Sequence, residues 1–109
     1  MNPNNRVKLE QILSKITEFE VLLDSTLDSS LTDPFIDPNR YVKQYNDYLR
    51  EISSLLDDED IVDILTEMSP YTYTGDDRID VMNTKQRLVE LYLKTGQLTA
   101  YLQAMLELE

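Results

Sequence analysis

Apolar residues in the first quarter of the chain recur at alternating steps of three and four, the period of an amphipathic helix. The stripe consists of Leu9, Ile12, Ile16, Phe19 and Leu23. Asn2 and Pro3 suit the cap and first-turn positions, where proline's missing N–H costs nothing. This pattern predicts a long first helix over residues 4–28.

Two Asp-Pro pairs interrupt the chain after this helix. Residues 31–38 read LTDPFIDP, and the residue before each proline is kept out of the helical region. We therefore predict a connector over 31–38 and a second helix from there to about residue 56. Its inward stripe is expected to contain Tyr41, Tyr45, Tyr48, Ile52 and Leu55.

The remaining residues predict three shorter helices. The acidic run at 57–60 suits a helix start, so a third helix is expected to end at about Met68. A loop over 69–77 precedes a fourth helix from about residue 80 or 83 to Thr95, with Gly96 as its C-terminal glycine. A last helix follows over 97–106. Two glycines and four prolines leave little turn material for an all-β fold. The prediction is one all-α domain over residues 1–107, an antiparallel bundle of about five helices.

Histidine and cysteine are both absent from the chain. Their absence excludes the commonest general base, thiolate nucleophiles and zinc–thiolate sites. The acidic runs at 57–60 and 76–80 lack the alternating order of a calcium loop. The sequence therefore predicts no enzyme, no cofactor and no metal. A carboxylate-dependent enzyme stays open as a third alternative, and it would require an enclosed acidic pocket.

The net charge of −11 argues against nucleic acid and against an anionic membrane surface as partners. The chain also lacks a signal peptide and a long apolar run, so we expect a cytoplasmic protein that binds another protein. No Lys or Arg occurs between Arg50 and Arg78, and the acidic interface candidates in that gap are Asp57, Asp58, Glu59, Asp60 and Asp63.

Five tyrosines form the other candidate interface. A tyrosine ring can bury a large apolar surface against a partner while its hydroxyl remains hydrated. They are Tyr41, Tyr45 and Tyr48 on one helix face, with Tyr71 and Tyr73 in the loop. Tyrosines at helical spacing are more often the edge of a core than a binding site. Core and interface therefore both stay open for this set.

Residues 87–106 read RLVELYLKTGQLTAYLQAML, a leucine–valine helix, a glycine, a leucine and a final apolar helix. From about Tyr48 to Glu107 the chain resembles the bacterial effector-associated domains, small death-like helical adaptors of multidomain conflict and signalling proteins. The resemblance implies a death-like fold and homotypic or paired docking. It carries over no catalytic residue.

Two functions follow from these observations. The first is a non-catalytic adaptor domain of a bacterial conflict or signalling system, whose oligomeric state the sequence leaves open. The alternative is a free-standing acidic regulator that sequesters a basic protein. Leu108 and Glu109 are compatible with a cloning remnant, in which case residues 1–107 would be the N-terminal domain of a longer protein.

Overall fold

The computed structural model describes residues 2–29, 36–56 and 66–108. They contain three helices: α1 over Pro3–Ser29, α2 over Asn39–Leu55 and α3 over Asp77–Glu107. No strand occurs within these three ranges. The all-α prediction is confirmed, whereas the count of five helices is not.

The first helix forms as its periodicity predicts. Asn2 Oδ1 accepts a hydrogen bond from the backbone N–H of Asn4 at 2.8 Å, which caps a free amide at the helix start. All five residues of the predicted stripe are buried, with at most 2% of their surface exposed. Burial of a Leu, Ile or Phe side chain contributes about 1.5–3 kcal/mol. This face therefore supplies much of the core.

The predicted fourth and fifth helices are one continuous helix, which corrects the role given to Gly96. Gly96 lies inside α3, and the glycine with a positive φ among the described residues is Gly75, at +89°. A glycine costs a helix interior about 1 kcal/mol relative to alanine. Leu91 and Leu98 are both fully buried on either side of Gly96. Their burial outweighs the cost of the glycine.

Substitution of the two glycines by alanine should have opposite effects on the free energy of unfolding. Gly96→Ala should raise the free energy of unfolding by about 0.5–1 kcal/mol because Gly96 is helical. The new Cβ would lie 3.1 Å from Glu20 Oε1, the end of a flexible side chain that can move. Gly75→Ala should lower stability because L-residues rarely adopt its φ. Thermal melts of both variants test this, and a Gly96→Ala variant less stable than the parent would argue for a helix break at Gly96.

The ends of the helices establish their relative directions. Arg6 Nη2 donates to the carbonyl of Leu106 at 3.0 Å, and Asn5 Nδ2 donates to the carbonyl of Leu55 at 3.2 Å. The start of α1 therefore lies beside the last turns of both α2 and α3. It follows that α2 and α3 point the same way, opposite to α1. The predicted antiparallel bundle of about five helices is not confirmed by the described residues.

A non-helical return segment, residues 66–74, brings the chain back along α2. Asn46 exchanges two hydrogen bonds with the backbone of Met68, and Asn39 does the same with Tyr71. The two asparagines are two turns apart, about 10.5 Å, and three residues of extended chain span about 10 Å. The helix and the return segment therefore match in length.

The return segment corrects the end of the predicted third helix. Residues 66–68, expected to be its last turn, are non-helical. The rest of that predicted helix, residues 57–65, lies outside the described residues, as does most of the predicted connector. Arg50 Nε and Nη2 donate to the two carboxylate oxygens of Glu67, at 2.6 and 3.1 Å, and hold the start of the return segment on α2.

Candidate interaction surface

Two of the predicted interface tyrosines are core residues. Tyr41 is 7% exposed and Tyr45 is fully buried. Tyr48 is partly buried, and its ring meets Phe19 edge-on at a centroid distance of 5.6 Å. The face of α2 that carries the tyrosines therefore packs on α1, and Tyr41 and Tyr45 are not on the surface of this chain.

Tyr45 carries a buried hydroxyl that has no hydrogen-bond partner in the described part of the chain. Burial disfavours the phenolate and raises the pKa of Tyr45 to about 12. The phenol therefore stays protonated at neutral pH. Its ring contributes apolar packing to the core.

The two loop tyrosines contact each other and brace the approach to α3. Their rings are perpendicular at a centroid distance of 5.1 Å. Tyr71 donates its hydroxyl hydrogen to Asp80 at 2.6 Å, and Tyr73 donates to Asp37 at 2.8 Å. Burial and the bond to Asp37 raise the pKa of Tyr73 to about 12. Tyr73 is half exposed, so it is the more accessible of the two.

Asp80 organises the loop before α3, a role that sequence reasoning missed. Its carboxylate accepts from Tyr71 Oη, from the N–H and Oγ1 of Thr74 and from the N–H of Gly75, at 2.6–3.2 Å. Asp76 caps the helix by accepting from the N–H of Arg78 at 3.0 Å. The run from Thr74 to Asp77 before an amphipathic helix was the available signal, since Thr and Asp favour helix starts.

The hydrogen bonds to Asp80 predict an acid-sensitive fold. The Thr74 N–H and then the Tyr71 hydroxyl lower the pKa of Asp80 below its usual value. A depressed folded-state pKa contributes stability above the unfolded value of about 3.9, and this is lost as pH falls through the folded pKa. The Asp80→Asn variant should therefore melt at a lower temperature than the parent at pH 7. On acidification it should lose less stability than the parent does.

Thermal melts between about pH 7 and pH 2, a range that brackets the carboxyl pKa, measure this effect. Asp77→Asn is the matched control, because Asp77 lies in the same turn and does not share these hydrogen bonds. If the melting temperature of the Asp80→Asn variant fell with pH as steeply as that of the parent below about pH 4, the role given to Asp80 would be contradicted.

The predicted acidic interface, Asp57, Asp58, Glu59, Asp60 and Asp63, lies outside the described residues. Within the described ranges, no three acidic side chains are placed to hold a metal ion. The described helices include none that is long and apolar enough to cross a membrane. A shallow groove of about 180 Å³ lies between α2 and the return segment, and it is lined by Asn39, Val42, Lys43, Asn46, Asp47, Arg50 and Pro70.

That groove offers little for chemistry. Both of its asparagine side chains are already bonded to the return segment. Among the described residues of the lining, Asp47 supplies the single carboxylate, and it lies 3.8 Å from Arg50. The part of the lining that the structure describes holds no pair of carboxylates, which acid–base catalysis of this kind requires.

Among the described residues, the clearest exposed apolar surface is a row on α3, hereafter the α3 stripe. It consists of Ile79, Met82, Val89 and Leu93, which are 41%, 64%, 42% and 59% exposed. At 100° per residue these side chains share an arc of about 80°, roughly 160° from the buried face of α3. Gln86 fills the gap in the row. The helix therefore has two apolar faces, and one of them faces solvent.

The stripe has a signature that sequence reasoning missed. Positions 79, 82, 86, 89 and 93 follow steps of three and four. The predicted fourth helix began at about residue 80 or 83, so Ile79 lay outside it and Met82 lay at its very start or outside it.

A second exposed region lies on the C-terminal half of α1. Val21 and Leu22 are 63% and 43% exposed there. The acidic side chains of this half are Glu18, Glu20, Asp24 and Asp28. No Lys or Arg follows Lys15 within α1, so this half is uniformly negative.

These two surfaces are the candidates for binding, and they differ in chemistry. The α3 stripe is apolar, whereas the second half of α1 is acidic around two apolar side chains. Comparison with protein-family models, with curated proteins and with solved structures finds no match for this chain.

Proposed function

We propose that this chain is a non-catalytic protein–protein interaction domain that docks through the α3 stripe. One observation carries the proposal: four large apolar side chains, each at least 41% exposed, lie in one row on the face opposite the core. From Ile79 to Leu93 the row covers fifteen residues and extends about 21 Å along the helix. Burying it against a partner would remove this surface from water.

The alignment of the stripe is what favours binding. Single exposed apolar residues are ordinary on soluble proteins. A contiguous apolar patch is more typical of an interaction site. A surface helix of a globular protein has one apolar face, whereas α3 has a second one that no other described element covers. A partner surface would explain it.

The biological setting remains the one the sequence resemblance implies. We propose an adaptor of a bacterial conflict or signalling system that acts in the cytoplasm. The resemblance covers residues from about 48 to 107, which include the whole of α3. A death-like arrangement and paired docking belong to this proposal.

Photo-crosslinking in the native cell tests the proposed surface. A photoreactive residue in place of Met82 or Leu93 should give adducts with one defined protein. The same residue in place of Val7, which is 51% exposed on α1, is the matched control. Adducts that are absent, or equally strong from Val7, would overturn the proposal.

The acidic half of α1 favours a second candidate, a regulator that binds a basic protein. Electrostatic docking of that kind weakens as salt screens the charges. A photoreactive residue in place of Val21 separates the two candidates. Salt-sensitive adducts from Val21, with none from Leu93, would favour the regulator over the adaptor.

A further inference from the structure

We propose that the partner of the α3 stripe is the α3 stripe of a second copy of this chain, paired as a parallel, in-register two-helix coiled coil. This inference rests on the proposed function and names the partner. Three features of α3 carry it: the heptad register of the stripe, the polar residue at its centre and the charges at its flanks.

The register of the stripe matches the core of a coiled coil. With Ile79 at heptad position a, Met82 and Val89 occupy position d, and Gln86 and Leu93 occupy position a. Apolar residues at a and d form the seam between paired helices. Because α3 is already folded against the core, pairing requires no further loss of conformational entropy for helix formation.

Gln86 specifies how two such helices align. A single polar residue at position a selects register and oligomeric state at some cost in stability. In a parallel, in-register pair the two copies of Gln86 face each other and their amides can bond. In an antiparallel pair each amide would lie against Met82 or Val89, and in a parallel pair shifted by one heptad it would lie against Ile79 or Leu93. Either alignment leaves a polar group unpaired in an apolar contact.

Flanking charges favour the parallel direction. Lys85 lies at position g and Glu90 at position e, beside the seam. In a parallel pair, g of one helix faces e of the next heptad on the other, so Lys85 meets Glu90 twice across the two-fold axis. In an antiparallel pair position g faces position g, so Lys85 would face Lys85, Arg78 or Tyr92, and none of these carries a negative charge. Glu90 also contacts Arg87 of its own helix at 3.7 Å, a weak exposed pair.

The stripe is shorter than three heptads, so the dimer should be weak and depend on concentration. Each copy carries a net charge of −11, and the two copies repel each other. Salt screens this repulsion and strengthens apolar burial. Association of the two copies should therefore strengthen as salt is raised.

Analytical ultracentrifugation of the purified chain, from about 10 µM to about 1 mM, tests the pairing. The parent should shift from monomer to dimer across this range, with more dimer at higher salt. Leu93→Glu should stay monomeric throughout with an unchanged circular dichroism melt, because Leu93 is 59% exposed. Val21→Glu, a change at a 63% exposed position on α1, is the matched control and should dimerise like the parent.

Single cysteines test the alignment, because the chain has no cysteine of its own. Gln86→Cys should form a symmetric disulfide under mild oxidation, since facing a positions bring the two thiols together. Val21→Cys should crosslink far more slowly. A dimer in which Gln86→Cys crosslinks no faster than Val21→Cys would overturn the parallel register.

Charge reversal gives a third test of the alignment. Lys85→Glu should weaken the dimer, and adding Glu90→Lys should restore it. Failure of the second change to restore the dimer would overturn the proposed g–e pairing.

Two outcomes would overturn self-pairing itself: a parent that is monomeric at the highest concentration, or a dimer that survives Leu93→Glu. Either result leaves the proposed function standing if photoreactive residues at Met82 and Leu93 crosslink to a different protein. Failure of the crosslinks as well would overturn the proposed function.

Discussion

Replacing Phe19 with alanine is expected to lower the free energy of unfolding by about 3–5 kcal/mol. The side chain is 2% exposed, and its ring lies 6.5 Å from that of Tyr41 and 5.6 Å from that of Tyr48. Truncation removes the aromatic contact between α1 and α2 and leaves a cavity. Urea denaturation followed by circular dichroism measures the loss.

Val21→Ala is the matched control, because Val21 lies two residues away on the exposed side of α1. Its effect should stay within about 0.5 kcal/mol. Phe19→Leu should fall between the two, since it keeps part of the buried volume. A Phe19→Ala variant as stable as Val21→Ala would contradict the position of Phe19 between α1 and α2.

Replacing both Asn39 and Asn46 with alanine is the second large effect expected. Each side chain donates to a carbonyl of the return segment and accepts from an N–H of the same residue, at 2.7–3.1 Å. Partly buried backbone groups at Met68 and Tyr71 would lose their partners. Each unpaired group costs about 1–3 kcal/mol when it stays buried. We therefore expect the return segment to detach from α2.

Hydrogen exchange at Met68 and Tyr71 measures the detachment directly. Amide protection at both positions should disappear in the double variant, while protection within α1 persists. Gln44→Ala is the control, because Gln44 lies on α2 and bonds only to the exposed hydroxyl of Tyr48 among the contacts seen. Retained protection at Met68 and Tyr71 would show that the asparagines do not hold the segment.

This second prediction bears on the α3 stripe. Tyr71 bonds to Asn39 through its backbone and to Asp80 through its hydroxyl, so it links α2 to the first turn of α3. The stripe begins at Ile79, in that same turn. Loosening the return segment should therefore weaken any contact made by Ile79 before it affects Leu93.

Local signals predicted some elements well. The apolar steps of α1 lie within one helix, and all five predicted residues are buried. The helix-start signal of Thr74 and Asp76 is equally local, although the predicted start of this helix was at about residue 80 or 83. Features of this kind could be predicted because the interacting groups are neighbours along the chain.

Other features depended on groups far apart in sequence. The pairing of Asn39 and Asn46 with the return segment joins residues 22 and 32 positions apart, and such bonds leave no local pattern. The row Tyr41, Tyr45 and Tyr48 indicated one shared face but not whether that face points inward. Only the packing of Phe19 against α2 decided that Tyr41 and Tyr45 are core.

The all-helical class and the buried stripe of α1 were determined by the sequence alone, because helical periodicity is a property of neighbouring residues. Whether Gly96 ends a helix depended on tertiary structure, since its local cost of about 1 kcal/mol competes with burial on α1. Tertiary structure also decided which face of α3 is buried, because α3 carries two apolar faces with helical periodicity. Periodicity cannot rank two such faces, and the packing of α1 decided which became core and which stayed exposed.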